Sequence, residues 1–255
     1  MISGQVINSI IKYANLSKDD TVLEIGPGIG FVTEKAAPEV KRLIAVEIDK
    51  DAIDVLSDLP FNNIDIINKD ILQTDFSLLV EERVKIIANI PYYITSPILV
   101  HLLGEIDEQT NKNRNLISEI ILMVQYEVAK RIVATNESHS KDYGLLSILC
   151  NFWAETEVLE KVPASAFYPK PKVDSALVRL KMRKTPLFKL DDPKKFRRVI
   201  KGAFAMRRKT LVNSLSASGF PKEKIKSALM ELGFIENIRA ENLSIEDFKN
   251  LAQKL

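Results

Sequence analysis

Short apolar segments alternate with stretches of helical length through the first half of the chain, and this alternation limits the possible folds more than any other feature. Five segments have the length and apolar content of buried strands: Val22 to Ile25, Arg42 to Ile48, Asn63 to Asn68, Val84 to Ala88 and Glu119 to Val124. The stretches between them, including Phe31 to Val40 and Lys50 to Leu59, have the length and composition of helices. Strands that alternate with helices form a parallel sheet covered on both faces. The sequence therefore predicts a doubly wound, mostly parallel α/β fold, with ligands at the carboxyl ends of the strands.

A change of pattern beyond Ser147 predicts how the rest of the chain is organised. The segments LSILCNFWAETEVLEKV and DSALVRLKMRK have the composition of further strands, and a proline-rich loop from Pro163 to Pro171 joins them. From Asp192 onward the sequence is helical, and its first helix is predicted over Lys194 to Ser214. We therefore expect an α/β domain over residues 1–185 and a small all-helical domain over residues 186–255.

Composition excludes several classes of protein. A chain of 255 residues that is 46% apolar can bury a full core, which argues against disorder. No run approaches the roughly 18 apolar residues of a membrane span, and no signal-peptide pattern is present. Cys150 is the single cysteine and lies in an apolar stretch, so we expect a core residue and a reducing, cytoplasmic setting. His101 and His139 have no Cys or His at ligand spacing, so no metal site is expected; His101 is predicted to pack on a helix and His139 to be exposed.

Basic residues are concentrated in one part of a chain whose net charge is only +2. Lys170 to Lys209 contains 15 Lys or Arg and 3 Asp, which leaves 21 basic and 31 acidic residues for the rest. Such a segment favours a polyanionic partner, and Phe188, Phe196 and Phe204 lie among the cations, as a nucleic-acid-binding surface would require. The cations predicted to bind nucleic-acid phosphates are Arg197, Arg198, Lys201, Arg207, Arg208 and Lys209. Salt bridges from part of this set to the acidic α/β domain are an equally good interpretation.

A glycine-rich segment, EIGPGIG, follows the first predicted strand. Gly26, Gly28 and Gly30 allow a sharp turn and a close backbone approach to a ligand, and a helix begins shortly afterwards. Their spacing is G-x-G-x-G, whereas a dinucleotide fold uses G-x-G-x-x-G to hold a pyrophosphate. The preceding carboxylate of Glu24 suits a positively charged ligand better than a pyrophosphate.

Carboxylates also follow the second and third predicted strands. Glu47 is placed where it can accept hydrogen bonds from both ribose hydroxyls of an adenosine, and Asp70 is placed to accept from an exocyclic adenine amine. The predicted site includes the residues that follow them, Ile48 and Ile71. Each acid alone is more typical of a cap or a surface residue, but three consecutive strand-end signals favour a nucleoside-containing ligand.

The tetrapeptide Asn89-Ile90-Pro91-Tyr92 follows the fourth predicted strand. The lone pair of an exocyclic amine is delocalised into its purine ring, and two acceptors on the amine hydrogens would orient that lone pair towards an electrophile. The Asn89 side-chain oxygen and the Ile90 carbonyl can supply those acceptors, because Pro91 restricts the backbone. Tyr92 can stack on the base, and Phe167 is predicted as a second aromatic wall for a base that leaves its stack, although a plain core position suits Phe167 equally well.

These motifs, taken together, resemble the ribosomal RNA adenine dimethyltransferases. The resemblance rests on EIGPGIG, VEID, KDIL, NIPYYITSPIL, SAFYPKPKVDSALVRL, FAMRRKTLVNSL and RAENLS, and it covers nearly the whole chain. It implies a Rossmann-like methyltransferase domain that uses S-adenosylmethionine, releases S-adenosylhomocysteine, and places Gly26, Glu47, Asp70 and Asn89 at cofactor-binding positions. The carboxyl-terminal motifs are more similar to those of the small-subunit enzymes of this family, the enzymes whose loss confers kasugamycin resistance. Resemblance to these enzymes implies a monomer that dimethylates N6 of two adjacent adenosines near the 3′ end of 16S rRNA in an immature small subunit.

One departure and three alternatives accompany this resemblance. Family members usually begin with a basic segment that ends in Gln-Asn-Phe-Leu and closes over the cofactor, whereas this sequence starts at Met1-Ile-Ser-Gly-Gln5. We therefore expect weakened cofactor binding and an impaired enzyme. The alternatives are a large-subunit methyltransferase of the macrolide-resistance type, a non-catalytic RNA-binding factor for ribosome assembly, and a nicotinamide-dependent oxidoreductase, which the glycine spacing disfavours.

Overall fold

A seven-stranded sheet forms the centre of the first part of the molecule. The computed structural model describes residues 3–138 and 140–255, except for the side chains of Phe76 and Tyr92. The strands are β1 (Thr21–Ile25), β2 (Arg42–Glu47), β3 (Ile64–Asn68), β4 (Val84–Asn89), β5 (Ile117–Gln125), β6 (Ala154–Val162) and β7 (Ser175–Met182). Their order is β3-β2-β1-β4-β5-β7-β6. The first five strands are parallel, and β7 is antiparallel to both of its neighbours. The predicted α/β class is confirmed.

Helices cover this sheet and build a second group at the carboxyl end. The helices are α1 (Gly4–Ala14), α2 (Thr33–Ala36), α3 (Lys50–Ser57), α4 (Thr95–Leu103), α5 (Lys112–Asn115), α6 (Tyr126–Val133), α7 (Leu145–Trp153), α8 (Pro193–Ala205), α9 (Leu211–Ala217), α10 (Lys222–Glu231) and α11 (Ile245–Lys254). His101 lies in α4, as predicted, and its Nε2 is 2.9 Å from the Thr74 carbonyl oxygen. None of the helices in the described ranges is long and apolar enough to cross a membrane.

Helix α1 shows how the sequence dictates the packing of the first layer. Ser3 caps the helix by accepting a hydrogen bond from the Val6 amide, and the chain leaves the helix at Asn15 with φ +42°. The apolar side chains of α1 recur at helical spacing and are buried against Ile121 and Met123 of the sheet.

Contacts divide the chain into two compact units, and the division differs from the predicted boundary at residues 185 and 186. The first unit contains the chain up to Gly104, together with Asn111–Lys130 and Ala154–Arg183. The second contains Glu105–Thr110, Arg131–Trp153 and Lys184–Leu255. The last transition is close to the predicted one, but two earlier segments belong with the carboxyl-terminal helices. Glu105 and Asp107 of the first segment pair with Arg197, and in the second segment the Phe152 ring lies 5.5 Å from Phe188 and 6.1 Å from Phe196.

The prediction of a strand over LSILCNFW is wrong, because this segment is α7. Seven of the nine residues of α7 are apolar, which is typical of a buried strand, but the two polar residues, Ser147 and Asn151, are four positions apart and therefore share one face of a helix. The strand begins only at Ala154. Cys150 is fully buried within α7, which confirms the expected core position.

The single helix predicted over Lys194 to Ser214 is two helices, α8 and α9. The chain turns after Ala205, and the side chain of Thr210 caps α9 by accepting a hydrogen bond from the Asn213 amide. Phe196 and Phe204 are 0% and 8% exposed, so these rings belong to the core. The expectation of a surface on which aromatic rings alternate with cations is therefore wrong for these two residues.

Candidate active site

The candidate site lies within the first unit, where the order of strands reverses. Successive strands from β1 to β3 extend the sheet in one direction, whereas β4 lies on the other side of β1. Loops that leave the carboxyl ends of β1 and β4 therefore diverge and leave a crevice, which is where open α/β sheets bind ligands. Every predicted cofactor-binding residue lies in or directly after one of the first four strands.

The glycine-rich loop after β1 adopts backbone conformations that favour glycine. Gly26, Gly28 and Gly30 have φ values of +66°, +57° and +86°. A Cβ atom at Gly26 would lie 3.7 Å from the Ile90 side chain and 4.0 Å from the Asn89 carbonyl oxygen, so this residue brings the β1 and β4 loops together. A Cβ atom at Gly30 would lie 2.8 Å from Leu56, whereas Gly28 faces open space. Gly30 therefore allows close packing against Leu56, whereas Gly26 and Gly28 border the crevice.

Glu47 ties the glycine loop to the end of β2. It is 7% exposed, and its carboxylate accepts hydrogen bonds from three backbone amides: Gly28 at 2.9 Å, Ile48 at 2.8 Å and Asp49 at 2.9 Å. Oε1 accepts two of these bonds and Oε2 one. A carboxylate offers about four acceptor positions, so about one remains on Oε2.

The residues that follow β2 and β3 differ in their exposure and in their contacts. Asp70 follows β3, and its Oδ1 accepts from the Leu72 amide at 2.9 Å, which caps a short 3₁₀ turn that begins at Ile71. Ile71 is buried at 6%, whereas Ile48 is 66% exposed and presents an apolar surface beside Glu47. Asn68 was not predicted as a site residue, yet its Nδ2 donates to the carbonyls of Glu47 and Ile48 at 3.1 and 3.3 Å and fixes the turn after β2.

The tetrapeptide predicted to orient the substrate follows β4 directly. Asn89 is the last residue of β4, pairs with Met123 of β5 and is half-buried. Ile90 is 4% exposed, whereas Pro91 is exposed and its carbonyl accepts a hydrogen bond from the Ile94 amide at 3.2 Å. The Tyr92 side chain and all of His139 lie outside the described residues. The structure therefore brings Asn89 and Ile90 to the glycine loop.

Phe167 occupies a position that serves the core. Its half-buried ring packs against the apolar cluster of α1, and its amide donates to the Ala164 carbonyl at 3.3 Å. The loop before it is held by Asp174, whose Oδ1 accepts from the Ala164 amide at 3.0 Å and whose Oδ2 pairs with Lys161 at 2.9 Å. The role of Phe167 as an aromatic wall stays a prediction.

Glu24 is buried beneath the glycine loop with a hydroxyl partner. The side chain is 3% exposed, and its Oε2 accepts from Thr33 Oγ1 at 2.7 Å. Burial raises the pKa of Glu24 from 4.5 to about 7, because desolvation outweighs the Thr33 hydrogen bond and the nearby charge of Glu47 adds to the effect. Thr33 had no signal in the sequence, since nine residues separate the two partners.

This pKa predicts a pH dependence of stability. Between pH 4.5 and 7 the folded state holds a proton that the unfolded state releases, so the free energy of unfolding falls as the pH rises through this window. Glu24→Gln keeps an acceptor for Thr33 without the charge, and it should be more stable than the parent protein at pH 8 by an amount on the order of 3 kcal/mol, and equal to it near pH 4.5. Urea unfolding at several pH values measures the difference, and two parallel pH profiles would contradict the prediction.

The cations predicted to bind nucleic acid lie in the second unit and differ in their contacts. Arg197 pairs with Glu105 at 2.5 Å and with Asp107 at 3.2 Å. Arg207 is exposed, yet its guanidinium donates to the carbonyls of Lys141 and Tyr143. The remaining members of the set are exposed: Arg198, Lys201, Arg208 and Lys209. In the described part of the chain, no group of three or more His, Cys, Asp or Glu side chains could hold a metal ion.

Comparison with known proteins agrees with this architecture. The family described as ribosomal RNA adenine dimethylase matches residues 1–255. The ribosomal RNA small subunit methyltransferase A of Caldanaerobacter subterraneus subsp. tengcongensis is 38% identical over 257 residues, which cover 98% of this chain and 92% of the relative. The enzyme of the same name from Bacillus mycoides is 39% identical over 267 residues, 100% of this chain and 88% of the relative.

Solved structures show the same similarity in three dimensions. A dimethyladenosine transferase from Plasmodium falciparum has a TM-score of 0.78 and 27% identity, with 98% of this chain and 95% of that chain covered. The 23S rRNA methyltransferase ErmE has a TM-score of 0.70 and 27% identity, with 99% and 98% covered. The family match over the whole chain, together with the glycine loop and the Asn89 segment at the same edge of the sheet, shows that the chain belongs to the ribosomal RNA adenine dimethylase family.

Proposed function

We propose that this protein transfers methyl groups from S-adenosylmethionine to N6 of two adjacent adenosines near the 3′ end of 16S rRNA. The product is N6,N6-dimethyladenosine, and the substrate is an immature small ribosomal subunit in the cytoplasm, on which the protein acts as a monomer. Relatives that are 38–39% identical over nearly the whole chain bear the name of small-subunit methyltransferases, which supports the choice of subunit.

The observation that carries the proposal is the approach of the β4 loop to the glycine loop. The Asn89 carbonyl and the Ile90 side chain lie at contact distance from the position of a Gly26 Cβ. These contacts hold Asn89, whose side-chain oxygen would accept a hydrogen bond from an adenine amine, beside Gly26, which has no side chain. A reaction between two bound molecules needs this proximity, because it replaces a bimolecular encounter by an oriented one.

The residues around the glycine loop fit S-adenosylmethionine. Gly26 leaves space that a Cβ would fill, Gly28 faces open space, and Ile48 offers an exposed apolar surface. Glu47 and Asp70 carry acceptors for the hydroxyl and amine donors of an adenosine. When bound, this cofactor supplies a methyl group on a positively charged sulfur, which makes the methyl carbon electrophilic.

The chain's own residues orient the nucleophile. The Asn89 side-chain oxygen and the Ile90 carbonyl accept the two hydrogens of the adenine amine, so its lone pair is directed out of the ring plane. Pro91 restricts the conformation of Ile90, and the bond from the Ile94 amide to the Pro91 carbonyl fixes the loop beyond it. No covalent bond to the protein is needed, and the proton that the amine loses passes to solvent.

Glu47 has two roles, because its carboxylate holds three backbone amides and also offers an acceptor to the cofactor. Its free acceptor position serves one ribose hydroxyl, and a second hydroxyl bond requires release of the Gly28 amide. Glu47→Ala removes these acceptors and should weaken S-adenosylmethionine binding at least about 100-fold, because hydrogen bonds to charged groups contribute about 1.5–3 kcal/mol each. Titration calorimetry measures the affinity.

A matched control for this substitution lies at the opposite side of the sheet, where the strands begin. Glu82→Ala removes a carboxylate that accepts from Thr21 and Lys41 at 3.1 Å, away from the carboxyl ends of the strands. Its cofactor affinity should equal that of the parent protein. Equal affinities of the Glu47→Ala variant and the parent would overturn the assigned role.

In the second unit, Arg208 and Lys209 are two of the exposed cations that could contact RNA. Both are exposed in the turn between α8 and α9, whereas Arg207 in the same turn is engaged by two carbonyls. Cations at a turn contact phosphates and recognise the shape of an RNA rather than its sequence.

The test of the proposed function is methyl transfer to small subunits that lack the two dimethyladenosines. We expect incorporation of four methyl groups per particle, located by primer extension to adjacent adenosines near the 3′ end of 16S rRNA. Large-subunit RNA and mature small subunits serve as parallel substrates. Methylation of 23S RNA alone would favour the large-subunit specificity named for the structural relative, and RNA binding without any transfer would favour a non-catalytic assembly factor.

A further inference from the structure

A cavity of about 550 Å³ lies within the second unit, between α8 and the end of α9. Four cationic side chains line it: Lys194, Arg197, Arg198 and Lys201. The acidic residue Asp107 lines it as well, together with Gly202 and Ser218, which pack so closely that a Cβ on Gly202 would lie 2.9 Å from the Cβ of Ser218. Because these two residues are small, the cationic groups border an open space and not a packed side chain.

Two of the four cations have acidic partners. Arg197 donates to both oxygens of Glu105 at 2.5 and 3.2 Å and lies 3.2 Å from Asp107. Lys201 Nζ is 3.5 Å from Glu105 Oε1. The hydrogen bond from Arg197 holds the pKa of Glu105 below its ordinary value, so this acid stays charged. Glu105 and Asp107 therefore compensate the charges of Arg197 and Lys201.

The other two cations, Lys194 and Arg198, have no acidic partner among the residues that the structure describes. Arg198 is nonetheless held in place: its guanidinium carbon lies 4.4 Å from the centre of the Phe220 ring, and its Nη2 donates to the Gly219 carbonyl at 3.3 Å. Phe220 is 7% exposed, so the ring is a fixed support. One of five guanidinium donors is used, and the remaining donors are available in a planar, pre-oriented fork.

We infer that this cavity binds a backbone phosphate of RNA, with Arg198 and Lys194 as the contacting cations. Glu105 pairs with Arg197 and Lys201, so these two cations are not available to the phosphate. The inference rests on the proposed function for the identity of the RNA. It assigns separate roles to two neighbouring cations that the sequence alone does not distinguish: Arg198 contacts the ligand, whereas Arg197 is paired with Glu105 and Asp107.

The chemistry of the cavity favours a phosphodiester over other ligands. Guanidinium and ammonium groups are donors without acceptors, so they match an anion that carries several acceptor oxygens. Two uncompensated positive charges suit the single negative charge of a phosphodiester and leave attraction for a neighbouring phosphate. Asp107 is already paired with Arg197, so it adds no free negative charge.

The test uses the full chain and a fluorescently labelled transcript of the 3′-terminal region of 16S rRNA, with anisotropy measured over a range of KCl concentrations. Arg198→Gln should weaken binding about 5- to 10-fold at about 0.1 M salt and lower the slope of log K against log[KCl] by about 1, which is the effect of one lost phosphate contact. Lys249→Gln is the matched control, because Lys249 also lies over an aromatic ring, 4.8 Å from the centre of Phe188, but outside the cavity.

A variant with the opposite expected effect guards against loss of folding. Glu105→Gln releases Lys201 and part of Arg197, so it should bind the same RNA several-fold more tightly and with a steeper salt dependence. Unchanged binding by both Arg198→Gln and Glu105→Gln would overturn the inference, and so would equal losses in Arg198→Gln and Lys249→Gln. Competition by poly-glutamate as effective as that by RNA of equal charge would instead assign the cavity to acidic peptides.

This experiment is independent of catalysis. RNA binding and its salt slope are measured without cofactor, and calorimetry of S-adenosylmethionine on the same variants should give the parent affinity. A protein that fails to methylate small subunits but shows these RNA effects would refute the proposed function and leave the phosphate site in place.

Discussion

Replacement of Asn89 by alanine is expected to lower the turnover number of methyl transfer by about 10²- to 10³-fold, the usual effect of removing one oriented polar partner from a transition state. The substitution removes an acceptor for the adenine amine at the end of β4, so the lone pair is no longer directed towards the methyl donor. Single-turnover methylation of small subunits, with enzyme in excess, measures this step separately from product release.

The same substitution at Asn63 provides the control. Asn63 precedes β3 at the other edge of the sheet, and its Nδ2 donates to the carbonyls of Ala37 and Val40 at 2.9 and 3.1 Å. Asn63→Ala should reduce stability by about 1–3 kcal/mol, because these carbonyls lose their donor, and should leave turnover unchanged. Similar turnover in the Asn89 and Asn63 variants would remove Asn89 from the reaction.

Alanine at Gly30 and at Gly26 should give two different kinds of defect. Both positions have positive φ, so each substitution costs about 1–2 kcal/mol in backbone strain. At Gly30 the added methyl group also meets Leu56 at 2.8 Å and Leu59 at 3.1 Å, which adds about 1–3 kcal/mol of overpacking. Gly30→Ala should therefore be strongly destabilised in urea unfolding.

At Gly26 the neighbours are at ordinary contact distances, so the added methyl group causes little further loss of stability. It does occupy the space between the β1 and β4 loops where the proposed cofactor and substrate meet. Gly26→Ala should therefore retain most of its stability and lose cofactor affinity by about 100-fold, a change of about 2.7 kcal/mol in calorimetric binding energy. Undiminished binding in this variant would place the cofactor elsewhere.

Sequence reasoning predicted the elements in which local pattern and tertiary environment agree. The five parallel strands lie within two residues of their predicted bounds, because short apolar runs between helices are typical of a parallel sheet, although β3 has no fully buried residue. The same reasoning predicted that the glycine loop and the strand-end polar residues share one edge, since the carboxyl ends of parallel strands coincide. Residue types alone, however, did not show that the Glu47 carboxylate accepts hydrogen bonds from three backbone amides.

Features that depend on distant partners were not predictable. Glu24 acquires its raised pKa from burial beside Thr33, and Arg197 is separated from its partner Glu105 by 92 residues. The pKa of Glu24 thus depends on its burial in the folded core, and the ion pair of Arg197 depends on a contact between segments that are remote in sequence. Helix α7 differs from these cases, because the spacing of Ser147 and Asn151 did indicate a helix, and the dense apolar content of the segment favoured the wrong prediction of a strand.

The division of the chain into two interleaved units constrains how the protein can be made and rearranged. The polypeptide passes from one unit to the other five times, at residues 104, 110, 130, 153 and 183. A ribosome that synthesises this chain releases α7, with Phe152, well before Phe188 and Phe196, so the aromatic cluster forms only after most of the chain has emerged. Each unit is built from three separate segments, so neither is a continuous piece of the chain. A chain cut after residue 183 would lack Phe188 and Phe196, which would expose Phe152 to solvent. A continuous stretch of chain that contains the whole second unit therefore also contains two segments of the first.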